Sequence, residues 1–152
     1  TKEHLIKDLL FLQKLQPAMI GIGPFLSQKD TPFAQQPNGT LKQTIQLLAI
    51  LRLLFPDRLI PATTALATVD PTGREQGILA GANVVMPNLS PLQARQAYQL
   101  YDHKASLGAE AAQGWSLLEN KISQIGYHLT IDRGDFRPHC LVNFEKRGDE
   151  YV

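Results

Sequence analysis

Cysteine is almost absent from this sequence: Cys140 stands alone among 152 residues. A single thiol excludes an intrachain disulfide framework, and a reducing cytoplasm is the expected location. Charge of one sign is lacking too. Lys and Arg number 15 against 14 Asp and Glu, a formal net charge of +1. With no basic run, neither nucleic acid nor an anionic membrane is an expected partner. Long apolar runs are also missing. The most apolar stretch, Leu47 to Phe55, is interrupted by Arg52 and falls well short of the ~20 residues that span a bilayer. Metal-ligand spacing is absent: His4, His103, His128 and His139 form no H-x-x-x-H or H-x-H pattern. His139-Cys140 is one adjacent pair in a polar tail, and no metal ligands are expected within the chain. The sequence opens at Thr1 rather than Met, in mid-pattern, so an excised piece of a longer protein is expected.

What is present reads as a repeated grammar of strand and helix. Residues 1–15 place Leu5, Ile6, Leu9, Leu10 and Leu12 on one broad helical face. "PAMIGIGPF" then reads as a buried strand, and a long polar loop leads to Thr40. "TLKQ" has capping-box spacing, opening a helix over 41–55 that stops at Pro56-Asp57. "LIPATTALATV" reads as a second strand, followed by a second box, Thr72 to Glu75, and a short helix up to Gly81. "ANVVMPN" is the third strand, and a third box, Ser90 to Gln93, opens a helix running to about Tyr101. The strands are nearly continuous apolar runs, the mark of parallel strands covered on both faces. This is an α/β pattern with a parallel sheet. Further on, "AEAAQGWSLLENKISQIG" reads as a helix stopped by Gly126, "YHLTI" as a short strand, and the remainder as a polar tail in which "RGD" at 133–135 is a solvated turn. Three strands cannot close a barrel, and so small an open parallel sheet leaves bare edges.

Within the second strand, Thr63 stands beside Thr64 where Val or Ile would pack more simply. A buried hydroxyl without a partner costs about 1–3 kcal/mol. Either both hydroxyls bond to neighbouring main chain or they line a cavity. Parallel α/β folds gather their sites at the carboxyl ends of the strands, here "GIGPF", "ATTA" and "VVMPN". The long loop after the first strand reads as a lid over those ends or as passive surface. Gly21 and Gly23 read as close-packing positions rather than a phosphate cradle. Met19 and Met86, inside strands, read as core. Tyr98 and Tyr101, three apart, share a helical face, one packed and the other able to reach a ligand. Neighbouring strand residues point to opposite faces, so Thr63 and Thr64 both reach one ligand only if the strand ends or bulges there.

The ordered set "MIGIGPF", "KDTPFA", "LIPATTALATV", "GREQGILAGANVVMPNLSP" and "YQLYDHK" resembles the C-terminal part of the HydE family. These are the radical S-adenosylmethionine maturases of FeFe-hydrogenase, within the biotin synthase-like superfamily. The resemblance covers roughly residues 1–104. It implies the C-terminal part of a (β/α)8 TIM-type barrel, its last three parallel strands with their helices, with residues 105–152 as a helical and irregular C-terminal extension. The implied cofactors of the full-length enzyme are S-adenosylmethionine and a 4Fe–4S cluster, whose C-x-x-x-C-x-x-C ligands this chain lacks, leaving it inactive by itself. Some family members bear an accessory cluster beyond the last strand; "SLGAEAAQGWSLL" has no cysteine for one.

By the same resemblance, the radical derived from S-adenosylmethionine acts on a cysteine-bearing iron carbonyl–cyanide synthon. Thr63 and Thr64 would floor the substrate cavity, and Met19 and Met86 would line its wall. Tyr101 would approach the radical or substrate, and Tyr98 the adenosyl end. Implied partners are the organometallic substrate, the other hydrogenase maturation proteins and the missing N-terminal half of the barrel. Two alternatives stand beside this: a methylornithine- or biotin-synthase-type radical enzyme, and a non-catalytic half-barrel that assembles with a second copy.

Overall fold

The computed structural model describes residues 1–86 and 111–136. Among them the elements run α1 (Lys2–Leu15), α2 (Leu41–Leu54), β1 (Pro61–Ala62), α3 (Thr64–Val69), α4 (Gly73–Leu79), β2 (Val84–Val85) and α5 (Ala111–Gln124). The two long helices near the start fall where the periodicity placed them. Thr1 caps α1 by accepting from the His4 N–H at 3.4 Å. Gln16 closes the helix in the left-handed region at φ 51, its N–H donating to the Leu12 carbonyl. Thr40 caps α2, its hydroxyl accepting from the Gln43 N–H at 3.3 Å, as the capping-box spacing predicts.

The sheet is parallel and much shorter than the apolar runs imply. "PAMIGIGPF" supplies one parallel bridge, Met19 opposite Leu59, where the Ile20 N–H donates to the Leu59 carbonyl at 2.9 Å and the Leu59 N–H to the Ala18 carbonyl at 3.2 Å. β1 pairs with β2 in the register Pro61 opposite Val84 and Ala62 opposite Val85. Three extended segments therefore lie side by side in chain order. Gly21, Gly23 and Pro24 weaken or remove ladder bonds in the first, and Pro61 has no N–H to give in the second.

The strand expected over 59–69 is corrected here. It ends at Ala62, and the chain turns at Thr63 (φ −73, ψ 158) into α3, where Ala65, Leu66 and Ala67 favour helix until Asp70-Pro71 ends it. The strand expected at 127–131 is likewise not formed. α5 ends at Gln124, Gly126 takes φ +83, and the following residues run on without strand pairing.

The second capping box is also corrected. Thr72 stands at the N-cap of α4 without a side-chain capping bond. Its hydroxyl donates to Asp70 Oδ1 at 2.6 Å and accepts from Gln76 Nε2 at 2.9 Å. Glu75 reaches outward to Lys121 of α5 at 3.1 Å. The third box, at Ser90 to Gln93, lies outside the described residues.

Two apolar clusters cover one side of the sheet. Ile20 and Ile60 pack with Leu48 and Leu51 of α2, with Phe55 at its C-cap and with Leu66 of α3. Ala62 packs with Ile78, Ala82, Leu118 and Ile122, and Val85 joins them. Burying each of these Leu and Ile side chains contributes about 1.5–3 kcal/mol. Gly77 lets α4 approach this layer: a Cβ there would lie 3.1 Å from Leu66 Cδ1 and 3.4 Å from Ala62 Cβ.

Alternation along the strands puts Met19, Thr63 and Met86 on the other side. Ile20, Ile60 and Ala62 are at most 3% exposed, whereas Met19 is 41% and Met86 48% exposed. The two methionines are therefore not core residues. The architecture is α/β, with helices on one face of a small parallel sheet.

The opposite, amino-terminal end of the sheet is gathered by Arg52, only 9% exposed. Its Nε donates to the Gly81 carbonyl at 2.7 Å, and its Nη1 to the carbonyls of Phe55, Pro56 and Arg58 at 2.9–3.1 Å. Burial pushes its guanidinium pKa below the usual arginine value, with Asp57 pulling the other way. Asn83 completes the joint, accepting from the Ile60 N–H at 2.7 Å. No helix among the described residues is long and apolar enough to cross a membrane.

Candidate functional site

The three segments end at one level. Extending the register of β1 and β2 by one residue sets Thr63 opposite Met86. On the other flank, Gly23 lies against Thr63, where a Cβ on the glycine would come 2.9 Å from the Thr63 hydroxyl oxygen. Gly23, Thr63 and Met86 thus form a row at the carboxyl end of the sheet, on the face that no helix among the described residues covers. This confirms the close-packing reading of Gly23 and gives it a cause.

The threonine pair divides. Thr63 is the last extended residue and Thr64 the first of α3, so the strand ends at the place where both side chains could serve one end of the sheet. Thr63 Oγ1 is buried and has no hydrogen-bond partner among the described residues. An orphaned hydroxyl of this kind is uncommon and marks strain or a ligand-facing group. Thr64 Oγ1 instead accepts from Arg74 Nη2 at 3.3 Å, and Arg74 is buried in the first turn of α4. Arg74 is the residue that sequence reasoning missed. One signal was present, because a cation in the first turn of a helix opposes the helix dipole, and such a placement calls for another use.

The loop after the first segment leaves from this same end. Its base is tied by the Gly39 N–H donating to the Phe25 carbonyl and the Ser27 N–H to Asn38 Oδ1, both at 2.7 Å. Phe25 and Phe33 meet edge to face at 6.4 Å between ring centres. It is a closed, self-packed loop rather than a loose excursion. Tyr98 and Tyr101 lie outside the described residues, as do His103, His139 and Cys140. Among the described residues, no group of three or more His, Cys, Asp or Glu side chains lies close enough to hold a metal ion. Asp70, near α4, is held below the usual carboxylate range by the Thr72 hydroxyl and then by the Thr72 N–H. It serves the turn between α3 and α4.

The chain is 48% identical over 104 residues, 68% of its own length, to the [FeFe] hydrogenase maturase subunit HydE of Thermotoga maritima. It is 34% identical over 99 residues, 63% of its length, to the 3-methylornithine synthase of Methanosarcina acetivorans. To the 3-methylornithine synthase of Methanosarcina barkeri it is 32% identical over 100 residues, 66% of its length. It spans about 30% of the length of the first of these relatives and 28% of the other two. No protein-family model matches the chain.

Proposed function

Because the chain is HydE-like over 104 residues, we propose that it is the C-terminal part of a radical S-adenosylmethionine enzyme of the hydrogenase-maturase kind. Residues 1–104 would supply the last three strands of a (β/α)8 barrel, and residues 105–152 the extension beside it. The observation that carries this reading is the one-sided sheet. Its helix-covered face buries Ile20, Ile60 and Ala62, while Met19, Thr63 and Met86 stand on the other face, where a barrel interior would be. The orphaned Thr63 hydroxyl would find its partner in a substrate there. Thr64, Tyr98 and Tyr101 would complete the wall, with Tyr101 nearest the reacting atoms and Tyr98 at the adenosyl end.

The cluster does not fit the residues of this chain. A 4Fe–4S cluster bound through C-x-x-x-C-x-x-C needs three thiolates, and Cys140 is the single cysteine. The role proposed for these residues is therefore to shape and line a cavity, exclude water and hold the substrate by hydroxyl and thioether contacts. The substrate would be a cysteine-bearing iron carbonyl–cyanide synthon, and the other hydrogenase maturation proteins would be partners of the whole enzyme.

The test is anoxic loading of the complete coding product with iron and sulfide, followed by addition of S-adenosylmethionine. Release of 5′-deoxyadenosine is expected, and a loaded protein that releases none would overturn the enzyme reading.

The similarity to 3-methylornithine synthase favours a second reading, another biotin synthase-like radical enzyme with an amino-acid substrate. Complementation of a hydrogenase-maturation-deficient strain separates the two. Restored hydrogenase activity that the T63V/T64V variant abolishes supports the maturase, and no restoration by the wild type supports the alternative. A non-catalytic half-barrel module would instead show itself as a folded homodimer of this chain in sedimentation.

A further inference from the structure

Thr64 joins the carboxyl end of the sheet to α4. Its Oγ1 accepts from Arg74 Nη2 at 3.3 Å, and Arg74 is 9% exposed. A guanidinium is a donor only, so it occupies Thr64 as an acceptor and turns the hydroxyl hydrogen away from α4. Threonines within helices commonly give that hydrogen to the carbonyl four residues back, and Thr68 does so, donating to the Thr64 carbonyl at 3.2 Å. Thr64 lacks this outlet. Four residues back lies the extended approach to β1, and the Ile60 carbonyl there already accepts from the N–H groups of Asn83 at 2.8 Å and Val84 at 3.2 Å.

We propose that Arg74 is a positioning residue that acts through Thr64, orienting its hydroxyl as a donor to an acceptor oxygen of a bound small molecule, a carboxylate above all. A carboxylate offers acceptors only, and a buried cation one bond behind the hydroxyl strengthens the hydrogen bond it donates. Arg74 holds and polarises Thr64 while remaining behind it. The inference rests on reading the carboxyl end of the sheet as the substrate-facing end.

The experiment uses the complete, cluster-loaded protein, with acetate as the probe followed by saturation-transfer NMR. S-adenosylmethionine cleavage without substrate is measured in parallel. R74M and T64V should each weaken acetate binding about tenfold, the size of one charge-reinforced hydrogen bond. R74M/T64V should bind no more weakly than T64V, because Arg74 works through that hydroxyl. R74K should stay within about threefold of wild type.

Losses that multiply in the double variant, or an R74M that binds acetate like wild type, overturn the inference. If R74M does not fold, R74Q replaces it, since the shorter amide falls short of Thr64, and the same non-additive loss is expected. A wild type that binds acetate but never cleaves S-adenosylmethionine defeats the enzyme reading while leaving the Arg74 result standing.

Discussion

Thr63 carries a hydroxyl in a place where a methyl group would serve the packing better. Its oxygen is buried, has no hydrogen-bond partner among the described residues, and is pressed against Gly23. Replacing it by the isosteric valine should leave stability unchanged or raise it by about 1 kcal/mol, since an unsatisfied buried group is removed. Thermal denaturation checks this, and a loss of more than that amount would show that the hydroxyl has a structural partner. Asp70 illustrates the opposite case, a polar side chain fully used by its neighbours. Its folded-state pKa is depressed by the Thr72 hydroxyl and N–H. Its contribution is therefore present above the ordinary carboxylate pKa and fades as pH falls through the lower folded-state value. An NMR titration should find the Asp70 carboxyl below the usual range, with T72V moving it partway back and leaving only the backbone bond.

At the scale of elements, the sequence was legible wherever one local rule acted alone. α1 follows from apolar spacing, and α2 from the same spacing with Thr40 at its cap. The β–α order and the parallel pairing also follow, because continuous apolar runs and helical crossovers admit little else. Strand length was not legible. "PATTALATV" has the composition of a strand, yet Pro61 withholds an N–H and the alanines prefer helix, so pairing stops after two residues. Capping boxes were legible only in part. Thr40 with Gln43 and Thr72 with Glu75 have the same spacing, but Lys121, 46 positions beyond Glu75, claims the Glu75 carboxylate. A competitor that distant leaves no local trace.

The turn at Gly81 is similarly long-range. Its φ is +116, and a Cβ there would come 2.6 Å from the Arg52 Cβ. G81A should destabilise by about 2 kcal/mol, from backbone strain and displacement of Arg52. R52M should cost at least about 3 kcal/mol by leaving buried carbonyls without their donor. The two losses should fall short of additive in chemical denaturation, because both act on one joint.

Across the molecule, the candidate site and the Arg52 joint sit at opposite ends of the same sheet. Thr63, Gly23 and Met86 mark the carboxyl end, while Arg52, Arg58 and Asn83 gather the amino end. Arg58 adds a bond to Gln16 at 2.6 Å and lies 4.5 Å beneath the Phe136 ring, so the segment after α5 returns to that pole. This division matches the rule that barrel-type folds place stability at one end of their strands and chemistry at the other. α5 is held by Leu118 and Ile122 in the second cluster and by Lys121, which reaches Glu75 and the Pro71 carbonyl at 3.1 and 3.2 Å. Native-state hydrogen exchange should therefore find α5 opening before α2, whose Leu48 and Leu51 lie in the first cluster, and K121M should widen that gap. Equal protection of the two helices would contradict it.

The chain-order sheet also bears on time. Each extended segment pairs with the one that follows it in sequence, so closing the Met19–Leu59 and Pro61–Val84 pairs needs only the intervening helices to form. Closure cost grows only slowly with separation, and pairing between consecutive units avoids the longer-range contacts that slow folding most. The layer of α2, β1, α3, α4 and β2 can therefore assemble while the chain is still emerging from the ribosome. α5, which leaves the ribosome after these segments, can dock onto the layer they have formed, its Lys121 meeting Pro71 50 positions back.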